Sequence, residues 1–102
     1  MKRLRTIAIA KKEIHELQTY VNLVENYETN TLEQSIFKSY AYTNSLQKVV
    51  ETINKDLENI GEPLIDQDYV TLLIKSKPQD ELHKVLRSNY LLKTRHTRKK
   101  PY

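Results

Sequence analysis

Two long stretches of this chain place residues of one helical face alternately three and four positions apart, and this spacing limits the fold more than any other feature. Ile7, Ala10, Ile14, Leu17, Val21 and Val24 follow intervals of 3,4,3,4,3. Leu32, Ile36, Ser39, Thr43, Leu46, Val50, Ile53, Leu57 and Ile60 follow 4,3,4,3,4,3,4,3, with two hydroxyl residues standing where apolar ones are expected. A helix repeats a face at this interval, whereas a half-buried strand repeats at two. The spacing predicts one helix over about 5–25 and a second, continuous one over about 31–60.

The punctuation agrees with those ends. The polar stretch "NYETNT" (26–31) interrupts the first pattern, and Thr31 with Gln34, or Asn30 with Glu33, has the form of a capping box. Gly61, the only glycine in the chain, supplies a left-handed cap after Ile60, and Pro63 follows as a stop. Phe37, Tyr40, Ala41 and Val49 widen the apolar face of the second helix, which predicts neighbours on both sides of it. Ser39 and Thr43 read either as a polar layer whose hydroxyls bond back to their own helix or as a polar anchor for a partner.

Beyond Pro63, "YVTLLI" (69–74) has the β-branched and aromatic content of a strand, but no second strand is available to pair with it, so a helix over 67–76 is expected. "SKPQDELHKVL" (76–86) reads as a further start, with Ser76 or Lys77 as cap, Pro78 in first position and Asp80 and Glu81 in a first turn that favours carboxylates. Leu82, Val85, Leu86, Leu91 and Leu92 carry this helix over 78–93. The expected fold is all-α: a small bundle of three to four helices forming one domain over 1–92, with a basic tail, frayed, over 93–102. Four helices on short links pack up and down, so an even number would bring the two chain ends together.

Charge is unevenly placed along the chain. Residues 1–12 hold Lys2, Arg3, Arg5, Lys11 and Lys12, and residues 93–102 hold Lys93, Arg95, Arg98, Lys99 and Lys100, with no acid in either segment. All 13 carboxylates lie between Glu13 and Glu81. A phosphate-binding reading follows for the ends: Lys2, Arg3, Arg5, Arg87, Lys93, Arg95, Arg98, Lys99 and Lys100 would displace counterions from nucleic acid, DNA ahead of RNA. The outline of 69–93 resembles a helix-turn-helix, but the acids at 80 and 81 would face phosphates at the end of the second helix that normally approaches the bases. The charged ends also have a plain reading, as solubilising segments.

Other chemistries find little support. No cysteine is present, which removes disulfides and thiolate chemistry. Asp80 and His83 share a helical face but form only two ligands, so no metal or other cofactor is expected. No glycine-rich phosphate loop, nucleophile elbow or HExxH occurs, and no catalytic residues are assigned; the chain is not expected to be an enzyme. "IAIA" (7–10) is far short of the ~20 residues of a membrane span, so no membrane insertion is expected, and a cytoplasmic location is the default. Seven tyrosines against one phenylalanine and no tryptophan suggest contact surfaces; Phe37, Tyr40 and Tyr42 are the candidates for a protein interface.

Size, helical makeup and basic balance are similar to those of small bacterial immunity proteins that neutralise bacteriocins, and of small accessory proteins of phages and plasmids, with no shared motif. Two functions are therefore expected. The first is a nucleic-acid-associated regulator or accessory protein, with a possible homodimer through the long seam of the second helix. The second is a non-enzymatic protein-binding module of the inhibitor or immunity type.

Overall fold

A computed structural model of the chain describes residues 6–95. Five helices occur among them: α1 (Ile7–Glu25), α2 (Leu32–Thr43), α3 (Leu46–Ile60), α4 (Gln67–Lys75) and α5 (Glu81–Lys93). The chain is all-helical there, as the spacing predicts, but with one helix more than the expected three to four.

The extra helix comes from a break inside the second predicted one. Asn44 adopts a left-handed conformation (φ 50°, ψ 33°), and its N–H donates to the Tyr40 carbonyl at 2.7 Å, closing α2. Ser45 then caps α3, its hydroxyl accepting from Lys48 N–H at 3.2 Å. Asparagine tolerates this conformation better than most residues, and serine is a preferred cap, so "NS" acts as a joint. The apolar spacing runs across it unbroken because α2 and α3 face a common core from two directions. With five helices, the parity from which convergence of the chain ends was expected does not hold; the ends themselves, 1–5 and 96–102, lie outside the described residues.

Local signals set the remaining boundaries. Thr31 and Gln34 form the predicted capping box, with Gln34 N–H donating to Thr31 Oγ1 and the Gln34 side chain accepting from Thr31 N–H. Gly61 is left-handed (φ 74°), and Glu62 N–H reaches back to the Leu57 carbonyl at 2.9 Å. Asn54 then brackets the α3–α4 link, accepting from Ile65 N–H at 2.8 Å and donating to the Ile65 carbonyl at 2.9 Å. The last helix starts later than Pro78: its cap is Asp80, which accepts from His83 N–H at 2.9 Å. Thr43 donates to the Ser39 carbonyl at 2.9 Å, the back-bond expected of that polar layer.

The core is built by α2 to α5. Ile36, Phe37 and Tyr40 from α2 meet Val49, Ile53 and Leu57 from α3, Val70 and Ile74 from α4, and Leu82 and Leu86 from α5. Phe37 and Tyr40 are buried here, which corrects their expected place on a protein-binding surface. Their positions flank the heptad seam, and α2 packs against α3, α4 and α5, so its buried face is wider than that seam and takes both rings in. His83 is also fully buried, not part of a solvated first turn. Its ring stacks on Phe37 with centroids 4.3 Å apart and planes 26° apart. Because Nδ1 accepts from Gln79 N–H at 3.0 Å, the ring proton sits on Nε2, which donates to the Ile74 carbonyl at 3.1 Å.

Helix α1 stands apart from this arrangement. Only its last turns join the core, through buried Val24 and half-buried Tyr20 and Leu23. No helix among the described residues is long and apolar enough to cross a membrane.

Candidate functional site

The first four turns of α1 carry an apolar stripe into solvent. Ile7 is 71% exposed, Ile14 66%, Leu17 65% and Val21 42%, and Ala10 lies on the same line half-buried. Thr6 caps this helix by accepting from Ile9 N–H at 3.2 Å, so the stripe begins on ordered helix. Lys11 and Gln18 flank it on one side, and Glu13 and then the half-buried Tyr20 on the other. An apolar line of this width, bordered by polar residues and repeating at 3.5 on average, is the form taken by helices that pair with one other helix. This seam is buried in the core only at Val24.

Where α1 leaves the body, a groove of about 380 Å³ opens between it, α2 and α5, lined by Leu17, Tyr20, Tyr40, Ala41, Val85 and Leu86 among others. The exposed stripe and this groove are continuous through Leu17. A second apolar depression of about 730 Å³ lies at the α3–α4 corner, where Ile60 and Leu64 are exposed and Leu57, Pro63, Ile65 and Tyr69 complete the wall. Asp66 at its edge is occupied in capping α4, accepting from Tyr69 N–H at 2.8 Å.

No protein-family model, curated protein or solved structure matches this chain. Its site is therefore read from its own residues.

The residues expected to hold phosphate are placed as follows. Lys2, Arg3, Arg5, Arg98, Lys99 and Lys100 lie outside the described residues. Arg95 is exposed just past the end of α5. Arg87 donates from Nε to the Lys75 carbonyl at 3.1 Å, tying α5 to the C-terminal end of α4, where a cation is favoured by the helix dipole. Lys93 donates to Tyr40 Oη at 3.0 Å and to Asn44 Oδ1 at 2.9 Å, with Nζ 5.5 Å from the Tyr40 ring centroid. Arg87 and Lys93 thus hold α5 against its neighbours.

Of the three proposed interface residues only Tyr42 is on the surface, 64% exposed. Among the described residues no group of three or more His, Cys, Asp or Glu side chains is placed to hold a metal ion. Asp80 and His83 do converge, but in each other's service: the carboxylate caps the helix that carries the buried ring. The exposed seam of α1 was missed as a site because its spacing is also that of a core helix. A usable signal was present in the polar flanks Lys11, Glu13 and Gln18, which contrast with the apolar flanks Phe37 and Val49 of the next segment.

Proposed function

We propose that this protein is a non-enzymatic helical association module in which α2–α5 form the body and α1 is the arm that receives a protein partner. One observation carries the reading: a 3,4-spaced apolar seam that leaves Ile7, Ile14 and Leu17 more than half exposed on capped helix. Contiguous apolar surface of this kind marks interaction sites in soluble proteins, since its exposure to water is unfavourable and its burial supplies most of the free energy of association. The body supports the arm with satisfied internal bonds; no buried side-chain polar atom among the described residues lacks a partner.

A photo-crosslinking residue placed at Leu17, with Lys55 on α3 as a control position, tests this in cells. A protein adduct specific to position 17, reduced roughly tenfold by Ile14→Glu, is the expected result. Equal labelling at both positions, or none at 17, rejects the reading.

The charge layout favours a second reading, nucleic-acid association through the basic ends, compatible with an α1 arm. Five cations without an acid in residues 1–12, and four more in 95–102 beyond the structurally engaged Lys93, would supply counterion-releasing contacts without base choice. Neutralising Arg95, Arg98, Lys99 and Lys100 together is expected to weaken binding to DNA and RNA similarly on all sequences and to flatten its salt dependence. Unchanged affinity rejects it.

A further inference from the structure

We infer that the apolar depression at the α3–α4 corner is a second docking surface, and that it takes a cationic amphipathic segment of another protein. This surface is separate from the α1 seam, for it shares no lining residue with the groove beside α1. Among the residues that line it, Leu32, Leu57 and Ile65 also pack on the core, whereas Ile60, Leu64 and Tyr69 are exposed. Ile60 and Leu64 are each more than half exposed, as is Leu72, one turn beyond Tyr69 on α4. Apolar side chains held open to water on two helices and the link between them are the mark of an interaction site.

Charge identifies the occupant. Two smaller depressions of about 470 and 420 Å³ adjoin the first, one sharing Leu64 with it and the other Ile65 and Asp66. Among the described residues, the three are lined by the carboxylates Glu51, Glu58, Glu62, Asp66 and Asp68 and by a single cation, Lys55. Asp66 and Asp68 answer the positive end of α4, but Glu58 and Glu62 stand at and just past the C-terminal end of α3, whose last turn holds no basic residue. The helix dipole opposes negative charge there, and a lysine or arginine brought by a partner relieves it.

The same carboxylates repel phosphate, which sets nucleic acid and anionic lipid aside for this surface. An apolar centre with acids spread around it fits a polypeptide that carries apolar anchors between cations, laid into the groove as an amphipathic helix.

The test is fluorescence anisotropy of a labelled peptide of about 14 residues, with leucine at i, i+3, i+4 and i+7 and lysine between, titrated with the full-length chain at low and near-physiological salt. A twin peptide carries glutamate for lysine. The lysine peptide is expected to bind, more weakly as salt rises, and the glutamate peptide is not. Ile60→Ser with Leu64→Ser is expected to weaken binding at least about tenfold, and Glu58→Lys with Glu62→Lys about as much. All four side chains are exposed, so circular dichroism is expected to report an unchanged fold. Leu17→Lys, on the α1 seam, is expected to leave binding unchanged.

Absence of binding, indifference to either double variant, or an equal loss in Leu17→Lys overturns the inference. A dimer of the chain alone that the serine pair disperses gives the groove to a second copy. Peptide binding that appears only after Arg98, Lys99 and Lys100 are changed to Gln gives it to this chain's own basic end. Either result overturns the external partner. The crosslink at position 17 reads the α1 arm by itself, so the two surfaces can fail independently.

Discussion

The Tyr27 hydroxyl donates a 2.6 Å hydrogen bond to Oδ2 of Asp80, a residue 53 positions along the chain, whose other oxygen caps α5 through His83 N–H. One carboxylate thereby fastens the α1–α2 link to the start of the last helix. The Lys38 ammonium secures the same link by donating to the Tyr27 carbonyl at 3.0 Å. Removing the hydroxyl with Tyr27→Phe is expected to cost about 1–2 kcal/mol, and Asp80→Ala more, because it removes the cap as well. Urea denaturation of the two single variants and the double variant checks this; additive effects would deny the bond a role.

The same pair predicts an alkaline response. Burial, then the hydrogen bond to Asp80 and its negative charge, raise the Tyr27 pKa well above the ordinary 10.0. The folded chain therefore retains the phenolic proton where the unfolded chain releases it. Its contribution to stability is complete below pH 10 and is lost progressively as pH rises above that value. Tyr20 is shifted the same way, chiefly by burial, so Tyr27→Phe is expected to lessen the decline without abolishing it. Stability measured between pH 9 and 11 gives the answer, and an unchanged slope counts against it.

The Phe37–His83 stack sits at zero exposure for both residues, with both ring nitrogens of His83 engaged. His83→Leu keeps the volume but strands the Gln79 N–H and the Ile74 carbonyl. A loss of about 2–4 kcal/mol is expected, larger than the loss for an apolar exchange of similar size. The midpoint of chemical denaturation reads this directly; a shift within experimental error contradicts the assigned bonds.

Lys93 and Arg95 are two residues apart in a basic segment, yet their expected effects differ. Lys93→Met keeps the stem and removes the bonds to Tyr40 and Asn44, so the folded state is expected to lose about 1 kcal/mol. Arg95→Gln is expected to change stability by less than about 0.5 kcal/mol, as at an exposed surface position. Thermal melts of the two variants separate them, and equal shifts contradict the clamp.

The joint between α2 and α3 depends on the positive φ of Asn44. Asn44→Val places a branched side chain in that conformation and removes the Lys93 acceptor, so a loss of about 2 kcal/mol or more is expected. Asn44→Gly restores the backbone and is expected to recover about half of it. Differential scanning calorimetry distinguishes the two; identical melting temperatures mean that the joint carries no strain.

Helical class, the Thr31 capping box, the Gly61 stop and the helix at 67–75 were all legible in the sequence, because each depends on neighbours within about four residues along the chain. The same local rules explain why the Asn44 break was not: Asn44 and Ser45 are ordinary surface residues of a continuous seam until α5 brings Lys93 against the joint. Burial of His83 was equally out of reach, since it follows from Phe37 arriving from another helix.

The seam of α1 shows the division most plainly. Sequence alone determined that Ile7, Ala10, Ile14, Leu17 and Val21 share one face, because 3.6 residues per turn is a property of the backbone. What that face meets is a property of the whole fold. The tertiary structure decided that α2–α5 complete a core among themselves, take in only Val24 and its neighbours, and leave the rest of the α1 seam exposed.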